Sequence, residues 1–191
     1  MTEHDDVRRL GEPVLRSQSV PIARARLSTD RLQELAEDLV RATRSHGAFG
    51  VAAPQLGVAV RMIALNGDRM CQIRKLCGGR AEVVVHCDPE VVALSDEDSE
   101  EFEGCLSVPR IAGVVRRRAD VRYRARTLDG EQLDWRLIGR AARVVSHELD
   151  HLDGILFLDR AEPRSLCTFG AVQRLYQNDV AAARASLGFT P

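Results

Sequence analysis

A short segment near the C-terminal end of the chain has the residue types and spacing of a metal-dependent hydrolase. In His147-Glu148-Leu149-Asp150-His151, two histidines stand four positions apart. On a helix such residues leave from the same face, so both imidazoles could reach one metal ion. Glu148 would lie about 100° around the helix from His147. There its carboxylate could serve as general base for a water that the ion activates.

A third ligand is needed, and the residues alone leave several candidates. Apolar residues flank the histidines, so the segment is expected to be buried, where unpartnered imidazoles and carboxylates are costly. Beyond His151 there is no further histidine, and the candidates are Asp153, Asp159 and Glu162. Upstream, Cys105 offers a thiolate. One cysteine and two histidines would leave the fourth position of a tetrahedral ion open to water.

The elements that must position these residues are indicated by hydrophobic periodicity. Helical spacing over Ser28–His46 and Gly139–His151 predicts two helices, each with a suitable cap or stop residue. Alternation over Val121–Arg126, and the apolar runs Arg61–Leu65 and Ala81–His86, predict strands. A final helix is expected over Thr168–Leu187. Helix, then strands, then helix indicates an α+β fold in which antiparallel strands pack around a central HExxH helix, with a helix at each end.

Polar segments between these elements are interpreted as solvent-exposed. The acidic stretch Asp96–Glu103 and the segment Gly67–Arg80 are expected to be loops. Arginines alternate with apolar residues over Val121–Arg126, which predicts a strand with one basic face in solvent rather than a nucleic-acid surface.

Composition limits the class of protein. The 191 residues, of which 45% are hydrophobic and 29% charged, suit one domain spanning 1–191. A net charge of -1 gives no general reason to expect nucleic acid, and no apolar run approaches the roughly 20 residues that cross a bilayer. The polar N-terminus is unlike a signal peptide, so a cytoplasmic location is expected. Five irregularly spaced cysteines argue against a disulfide framework.

Three motifs in a fixed order make the chain similar to the peptide deformylases. Ala48–Gln55 resembles the family's GxGxAAxQ, Glu103–Ser107 matches EGCLS in full, and His147–His151 matches HExDH. The flanking segments Gly11–Arg16 and Leu152–Arg160 are also similar. The resemblance therefore covers nearly all of the chain up to about residue 160.

The resemblance implies a role for each motif. Cys105, His147 and His151 would hold one metal ion, commonly Fe2+, with Zn2+, Ni2+ or Co2+ as substitutes. Glu148 would carry the proton to the leaving amine while the formyl group is removed from an N-formylmethionyl peptide, releasing formate. Gln55 and the backbone amide of Leu106 would stabilise the oxyanion.

The resemblance also implies how the substrate is held. Backbone groups of Gly50, Val51 and Gly104 would pair with the extended peptide, as an added strand does. The expected partners are N-formylmethionyl nascent peptides and the ribosome near the peptide exit, with neither nucleic-acid recognition nor a membrane. The amphipathic C-terminal segment Ala171–Leu187 could dock on the ribosome, or it could simply pack against the rest of the fold.

Three positions depart from the family pattern. Ala48 replaces the first glycine of the first motif, where Gly47 could supply a shifted turn. Ala112 stands where many members have arginine, and Arg110 is the nearest substitute. Arg140 stands where an apolar residue usually lines the methionine pocket, so its guanidinium must lie along the wall or point away.

Other functions are compatible with the same residues. A metallo-amidase acting on another N-formyl or N-acyl small molecule would use the same ion and Glu148. A metalloprotease is disfavoured because cysteine is an unusual ligand for one. A structural zinc domain, or an inactive relative that binds peptides or ribosomes, would have no use for Glu148 and Gln55.

Overall fold

The computed structural model describes residues 7–79 and 82–190, which form two antiparallel sheets and several helices. The strands are β1 (Gly50–Ala52), β2 (Met62–Asn66), β3 (Val83–Leu94), β4 (Asp98–Cys105), β5 (Val108–Arg118), β6 (Asp120–Arg126), β7 (Gln132–Ile138) and β8 (Cys167–Thr168). The α-helices are α1 (Thr29–Ser45), α2 (Cys71–Leu76), α3 (Gly139–Leu152), α4 (Phe157–Arg160), α5 (Phe169–Ala171) and α6 (Val180–Leu187). The α+β class predicted from the sequence is confirmed.

The strands divide into a five-stranded sheet and a three-stranded sheet. The first has the order β1-β2-β3-β6-β7 and the second the order β4-β5-β8. Every neighbouring pair is antiparallel. In the larger sheet β1 is an edge strand, so one side of its backbone has no strand partner among the described residues.

The predicted N-terminal helix is confirmed as α1. The Ser28 side chain accepts a hydrogen bond from the Arg31 amide at 3.3 Å, which caps the first turn. The apolar face of α1, including Leu35 and Leu39, packs against buried residues of β1 and β2 such as Val51. This face fixes the position of the helix, since most helical stability in proteins comes from packing.

The predicted HExxH helix is α3, which directly follows β7 and begins at Gly139, a residue with φ +55°. Its apolar side packs on Ile63 and Leu65 of β2. The residues of β2 that alternate with them, Met62 and Ala64, belong to the cluster beneath α1. Because side chains alternate along a strand, α1 and α3 cover opposite faces of this sheet.

Three sequence predictions are wrong in detail. The acidic stretch Asp96–Glu103 is largely strand β4, in which Asp98 and Glu100 face arginines of β5. The segment Gly67–Arg80, of which the structure describes residues 67–79, contains the short helix α2 rather than loop alone. The C-terminal helix is interrupted, because Gln177 and Asn178 adopt positive φ between a π-helical turn and α6.

The arginines of β6 are confirmed as a solvent-facing row, and they pair with carboxylates. Arg122 and Arg124 both donate to Asp134 of β7, while Arg126 donates to Asp88 of β3. Opposite charges placed side by side on neighbouring strands stabilise a sheet modestly. Among the residues described, no helix is both long enough and apolar enough to cross a membrane.

Candidate active site

The end of β4 and the last two turns of α3 bring one cysteine and two histidines together. Cys105 ends β4, and its Sγ lies 3.1 Å from Nε2 of His151. His147 sits one turn earlier on the same helix face, as its four-residue spacing from His151 requires. Ligand atoms of all three residues lie within 4.8 Å of one another. The downstream acids Asp153, Asp159 and Glu162 do not belong to this cluster.

Glu103 holds His147 in a fixed orientation. The Nδ1 of His147 lies 3.0 Å from Oε2 of Glu103, and the histidine donates if the proton is on Nδ1. That tautomer leaves Nε2 free to bind a metal. Two arginines, Arg117 and Arg143, donate to the same carboxylate at 2.6–2.9 Å. Although burial opposes ionisation, His147 and Arg117 hold the pKa of Glu103 far below its usual value.

Asp150 extends this buried network to the next turn of α3. Its carboxylate accepts hydrogen bonds from Arg117 at 2.8 Å and from Arg160 of α4 at 2.7 Å. Arg117 therefore bridges Glu103 and Asp150, and its own side chain is only 5% exposed. Buried charges are tolerated when each is paired, as here. The network ties α3 to β4, β5 and α4 beside the histidines.

The electrostatics of the cluster favour metal binding by Cys105. Burial raises the pKa of the Cys105 thiol, but the neighbouring His151 and His147 more than offset it and hold the pKa well below its usual value. The thiolate is the form of cysteine that binds metals. In addition, Nδ1 of His151 is buried with no hydrogen-bond partner among the described residues. A soft thiolate with two imidazoles is a donor set that fits a divalent transition metal.

Glu148 is buried beside the cluster. Burial raises the pKa of its carboxyl group to about 7. Its Oε2 has no hydrogen-bond partner in the described part of the chain. On the other side, Gly50 of β1 comes so close that a Cβ there would lie 2.7 Å from Oε1 of Glu148. The glycine therefore leaves room for the carboxylate between α3 and the edge strand.

Gln55 also lies against the cluster, next to Cys105. It lies in the 3-10 turn Ala53–Leu56, directly after β1. Its Oε1 accepts from the Ala52 amide at 2.9 Å, which leaves Nε2 directed at Cys105 Sγ, 3.5 Å away, and at Ser107 Oγ, 3.3 Å away. The side chain is 2% exposed. A buried amide N–H donor thus points into the site.

The turn that follows Cys105 is fixed by the N-terminal segment. The guanidinium of Arg9 donates to the Leu106 carbonyl at 2.5 Å, and the Leu10 amide donates to the Ser107 carbonyl at 2.8 Å. The Arg8 amide also donates to the Gln55 carbonyl at 2.7 Å. Residues 8–10 therefore contact both segments that contain the predicted oxyanion donors, Gln55 and the Leu106 amide.

The three residues expected to bind substrate lie around the same cluster. Gly50 and Val51 belong to the edge strand β1, where Val51 pairs with Ala64 of β2. Gly104 immediately precedes Cys105, and one face of it is covered by Phe169, whose Cζ would lie 2.0 Å from a Cβ at that position. Backbone of β1 and β4 thus approaches the site from two sides.

The structure shows the surroundings of the positions that depart from the family pattern. Gly47, with φ +57°, takes the left-handed conformation, and Ala48 does not. Ala112 is fully buried between Gly104 and Cys167 of the neighbouring strands. Arg110, two residues earlier, is exposed and has a positive φ of 68°.

Arg140 lies along the surface of an aromatic ring. Its guanidinium carbon is 5.2 Å from the centre of the Phe49 ring. Phe49 immediately precedes Gly50, the first residue of β1.

Sequence reasoning missed the residues that support the ligands. Glu103 and Asp150 belong to the motifs themselves, so a search for carboxylates next to the predicted ligands would have found them. Ser107 also lies in a motif, whereas Arg117 and Arg143 have no such local signal, because each reaches its partner through pairing of distant segments.

Comparisons with known proteins agree with the geometry. A family model described as "Polypeptide deformylase" matches residues 4–166. A peptide deformylase from Dictyoglomus thermophilum is 33% identical over 163 residues, which cover 85% of this chain and 96% of that protein. The human mitochondrial peptide deformylase is 35% identical over 177 residues, which cover 89% of this chain and 72% of that protein.

Solved structures show the same likeness. The class I type b peptide deformylase from Acinetobacter baumannii, with Met-Ala-Ser bound, matches with a TM-score of 0.68 at 33% identity, covering 81% of this chain and 96% of that one. The peptide deformylase from Thermotoga maritima matches with a TM-score of 0.70 at 29% identity. The match covers 82% of this chain and 97% of that one.

Proposed function

The chain belongs to the peptide deformylase family, hydrolases that remove the N-terminal formyl group from nascent peptides, and we propose that Cys105, His147, His151 and Glu148 form its catalytic centre. One observation carries this proposal. A buried cysteine, two histidines and a buried carboxylate lie together beside β1, the edge strand of the larger sheet. In such a site the substrate can approach along β1 while its first residue reaches the ion.

Cys105, His147 and His151 would hold the metal, for which we propose Fe2+ as the native ion. Thiolate and imidazole ligands also accept Zn2+, Ni2+ and Co2+. When bound, the ion supplies Lewis-acid chemistry, polarising a carbonyl and lowering the pKa of water. Glu103 orients His147 through Nδ1, and such a contact typically strengthens metal binding.

Glu148 is the proposed proton carrier of the reaction. Its Oε2, unpartnered among the described residues, can accept a proton from the water that attacks the formyl carbon and then deliver that proton to the amine nitrogen as the C–N bond breaks. Burial supports this role, because it raises the pKa of the carboxyl group to about 7, and a general acid–base works best with a pKa near the working pH.

Gln55 and the backbone N–H of Leu106 are the proposed oxyanion donors. Removal of the formyl group places negative charge on its oxygen, and fixed N–H donors stabilise that charge most when they are already oriented. Gln55 is held by Ala52, and Arg9 fixes the Leu106 carbonyl. Gln55 would therefore need little rearrangement, and the Leu106 N–H lies one peptide unit before the carbonyl that Arg9 binds.

The formylated peptide would bind as an additional strand. The free edge of β1 at Gly50 and Val51 offers backbone groups on one side, and Gly104 offers them on the other. The small, buried Ala52 and Ala53, close to Gln55 in the chain, would leave space for a formyl group. We propose that this limited space excludes larger acyl groups.

Several wider features are also proposed. We infer one catalytic domain over residues 1–191, with α3 as its central helix, since α3 contributes to the core and to the site. The protein would work in the cytoplasm on chains leaving the ribosome. The exposed Arg174 and Leu175 are the proposed ribosome contacts. Co-sedimentation with ribosomes, and its loss in a Leu175→Glu variant, tests that association.

Formate release tests the catalytic assignment. Protein purified without oxygen and loaded with iron should release formate from formyl-Met-Ala-Ser. A Glu148→Gln variant should retain iron and lose at least about 100-fold in kcat, the lower range for a general acid–base. Glu37→Gln, an exposed change on α1, is the matched control and should leave kcat unchanged. An iron-loaded wild type without activity would contradict the proposal.

A further inference from the structure

Two arginines lie against one aromatic ring beside the proposed catalytic centre. The guanidinium carbon of Arg69 is 4.5 Å from the centre of the Phe49 ring, and that of Arg140 is 5.2 Å from it. Both arginines are exposed, while Phe49 is partly buried against the core cluster beneath α3. Contacts of this kind hold a guanidinium in place without neutralising its charge.

These two arginines differ from most others in the chain. Arg117, Arg122 and Arg136 are examples of arginines paired with a carboxylate. Within residues 7–79 and 82–190, neither Arg69 nor Arg140 forms an ion pair. Arg140 also lies in the first turn of α3, where a positive charge opposes the helix dipole. Two unneutralised cations therefore remain fixed at one place on the surface.

That place lies on the expected route of the substrate. Arg140 precedes His147 by seven residues on α3, two turns away on the same helix face. Phe49 immediately precedes Gly50, which contacts Glu148. The reacting end of a peptide must lie toward Gln55, at the far end of β1, because Gln55 contacts Cys105. The residues after the formylated one then run back along β1 and pass Phe49.

We propose that Arg69 and Arg140 form an anion subsite that binds a carboxylate of the substrate beyond its first residue. The proposal rests on the function proposed above, because that function places the peptide along β1. A carboxylate can come from an acidic side chain at the second or third residue, or from the C-terminus of a short formylated peptide. Planar guanidinium groups suit either source.

Paired substrates separate the two sources. Formyl-Met-Glu-Ser-amide and formyl-Met-Gln-Ser-amide differ only in a side-chain carboxylate, whereas formyl-Met-Ala-Ser and its amide differ only at the C-terminus. For at least one pair, the acidic member should have a KM about fivefold lower at low salt, which corresponds to about 1 kcal/mol. High salt should largely remove the difference, because the arginines are exposed. Equal KM values in both pairs would overturn the proposal.

A binding measurement keeps this test separate from catalysis. Calorimetry with the unformylated peptides Met-Glu-Ser-amide, Met-Gln-Ser-amide, Met-Ala-Ser and Met-Ala-Ser-amide needs no turnover. Arg69→Gln and Arg140→Gln should each abolish part of the carboxylate preference, and the double variant should abolish nearly all of it. Arg24→Gln, which removes one exposed charge elsewhere, should preserve it.

The outcomes distinguish the two proposals. A protein that deformylates the neutral peptides but binds acidic and neutral peptides equally would retain the proposed function and lose the subsite. A preference that persists in the double variant would also refute the role of Arg69 and Arg140. A carboxylate preference in binding without formate release would support the subsite and contradict the catalytic proposal.

Discussion

Replacing Gly50 with alanine should disable Glu148 while leaving the fold intact. A Cβ on Gly50 would lie 2.7 Å from Oε1, 2.9 Å from Cγ and 3.0 Å from Cδ of Glu148. Nonbonded carbon atoms normally stay about 3.5–4.0 Å apart, so the carboxylate must move by roughly 1 Å. Gly50 does not have positive φ, and its backbone therefore accepts alanine without strain.

The expected consequence is a loss of kcat. Misplacement of a reacting group by about 1 Å can lower a rate by about 100-fold. We therefore expect kcat of Gly50→Ala to fall about 100-fold, with the same iron content and a melting temperature within a few degrees of wild type. Formate release, metal analysis and thermal unfolding measure these three quantities.

A matched glycine controls for the substitution itself. A Cβ at Gly170 would have only the Thr168 hydroxyl within reach, at 4.0 Å, so Gly170→Ala should behave as wild type. If Gly50→Ala kept kcat within about twofold of wild type with Glu148 in place, misplacement by 1 Å would not have its usual effect on rate, and Glu148 would not be the proton carrier.

Three further results are expected. Glu103→Gln leaves Arg117 and Arg143 without their buried carboxylate, so urea unfolding should show a loss of about 3–5 kcal/mol, against less than about 1 kcal/mol for the more exposed Glu100→Gln. Gly104→Ala meets the Phe169 ring and should destabilise the protein by about 1–3 kcal/mol, and adding Phe169→Ala should restore most of the stability. Burial lowers the pKa of His86 from 6.5 to about 4 in the folded protein. The unfolded state therefore binds the extra proton between these values, and stability should fall by about 3 kcal/mol as pH drops from 6.5 to 4. The pH dependence measured for His86→Gln should be correspondingly smaller, and an unchanged dependence would contradict the account.

Local patterns were sufficient to predict the helices that organise the site. The apolar spacing of α1 and its Ser28 cap, and the spacing of the two histidines on α3, are properties of short segments. The motif around Cys105 added the third member of the cluster, which the structure brings within 4.8 Å of both histidines. The C-terminal break had a signal too, since Asp179 caps α6 by accepting from the amides of Ala181 and Ala182.

Nonlocal pairing explains what the sequence did not reveal. β4 looked like an acidic loop because its partners, the arginines of β5, lie more than ten residues away. Glu100 faces Arg116 and Asp98 faces Arg118 only once the register is formed. The same holds for Glu103, whose burial depends on Arg117 and Arg143 arriving from two other elements.

X-ray absorption at the iron edge tests the proposed metal centre most directly. The iron-loaded protein should show one sulfur and two imidazole nitrogens bound to a single metal ion. Cys105→Ser should lose the sulfur signal and hold iron more weakly, whereas Cys167→Ser, at a cysteine outside the cluster, should change neither. A wild-type spectrum without a sulfur ligand, or one unchanged in Cys105→Ser, would contradict the assignment of Cys105, His147 and His151 as the metal centre.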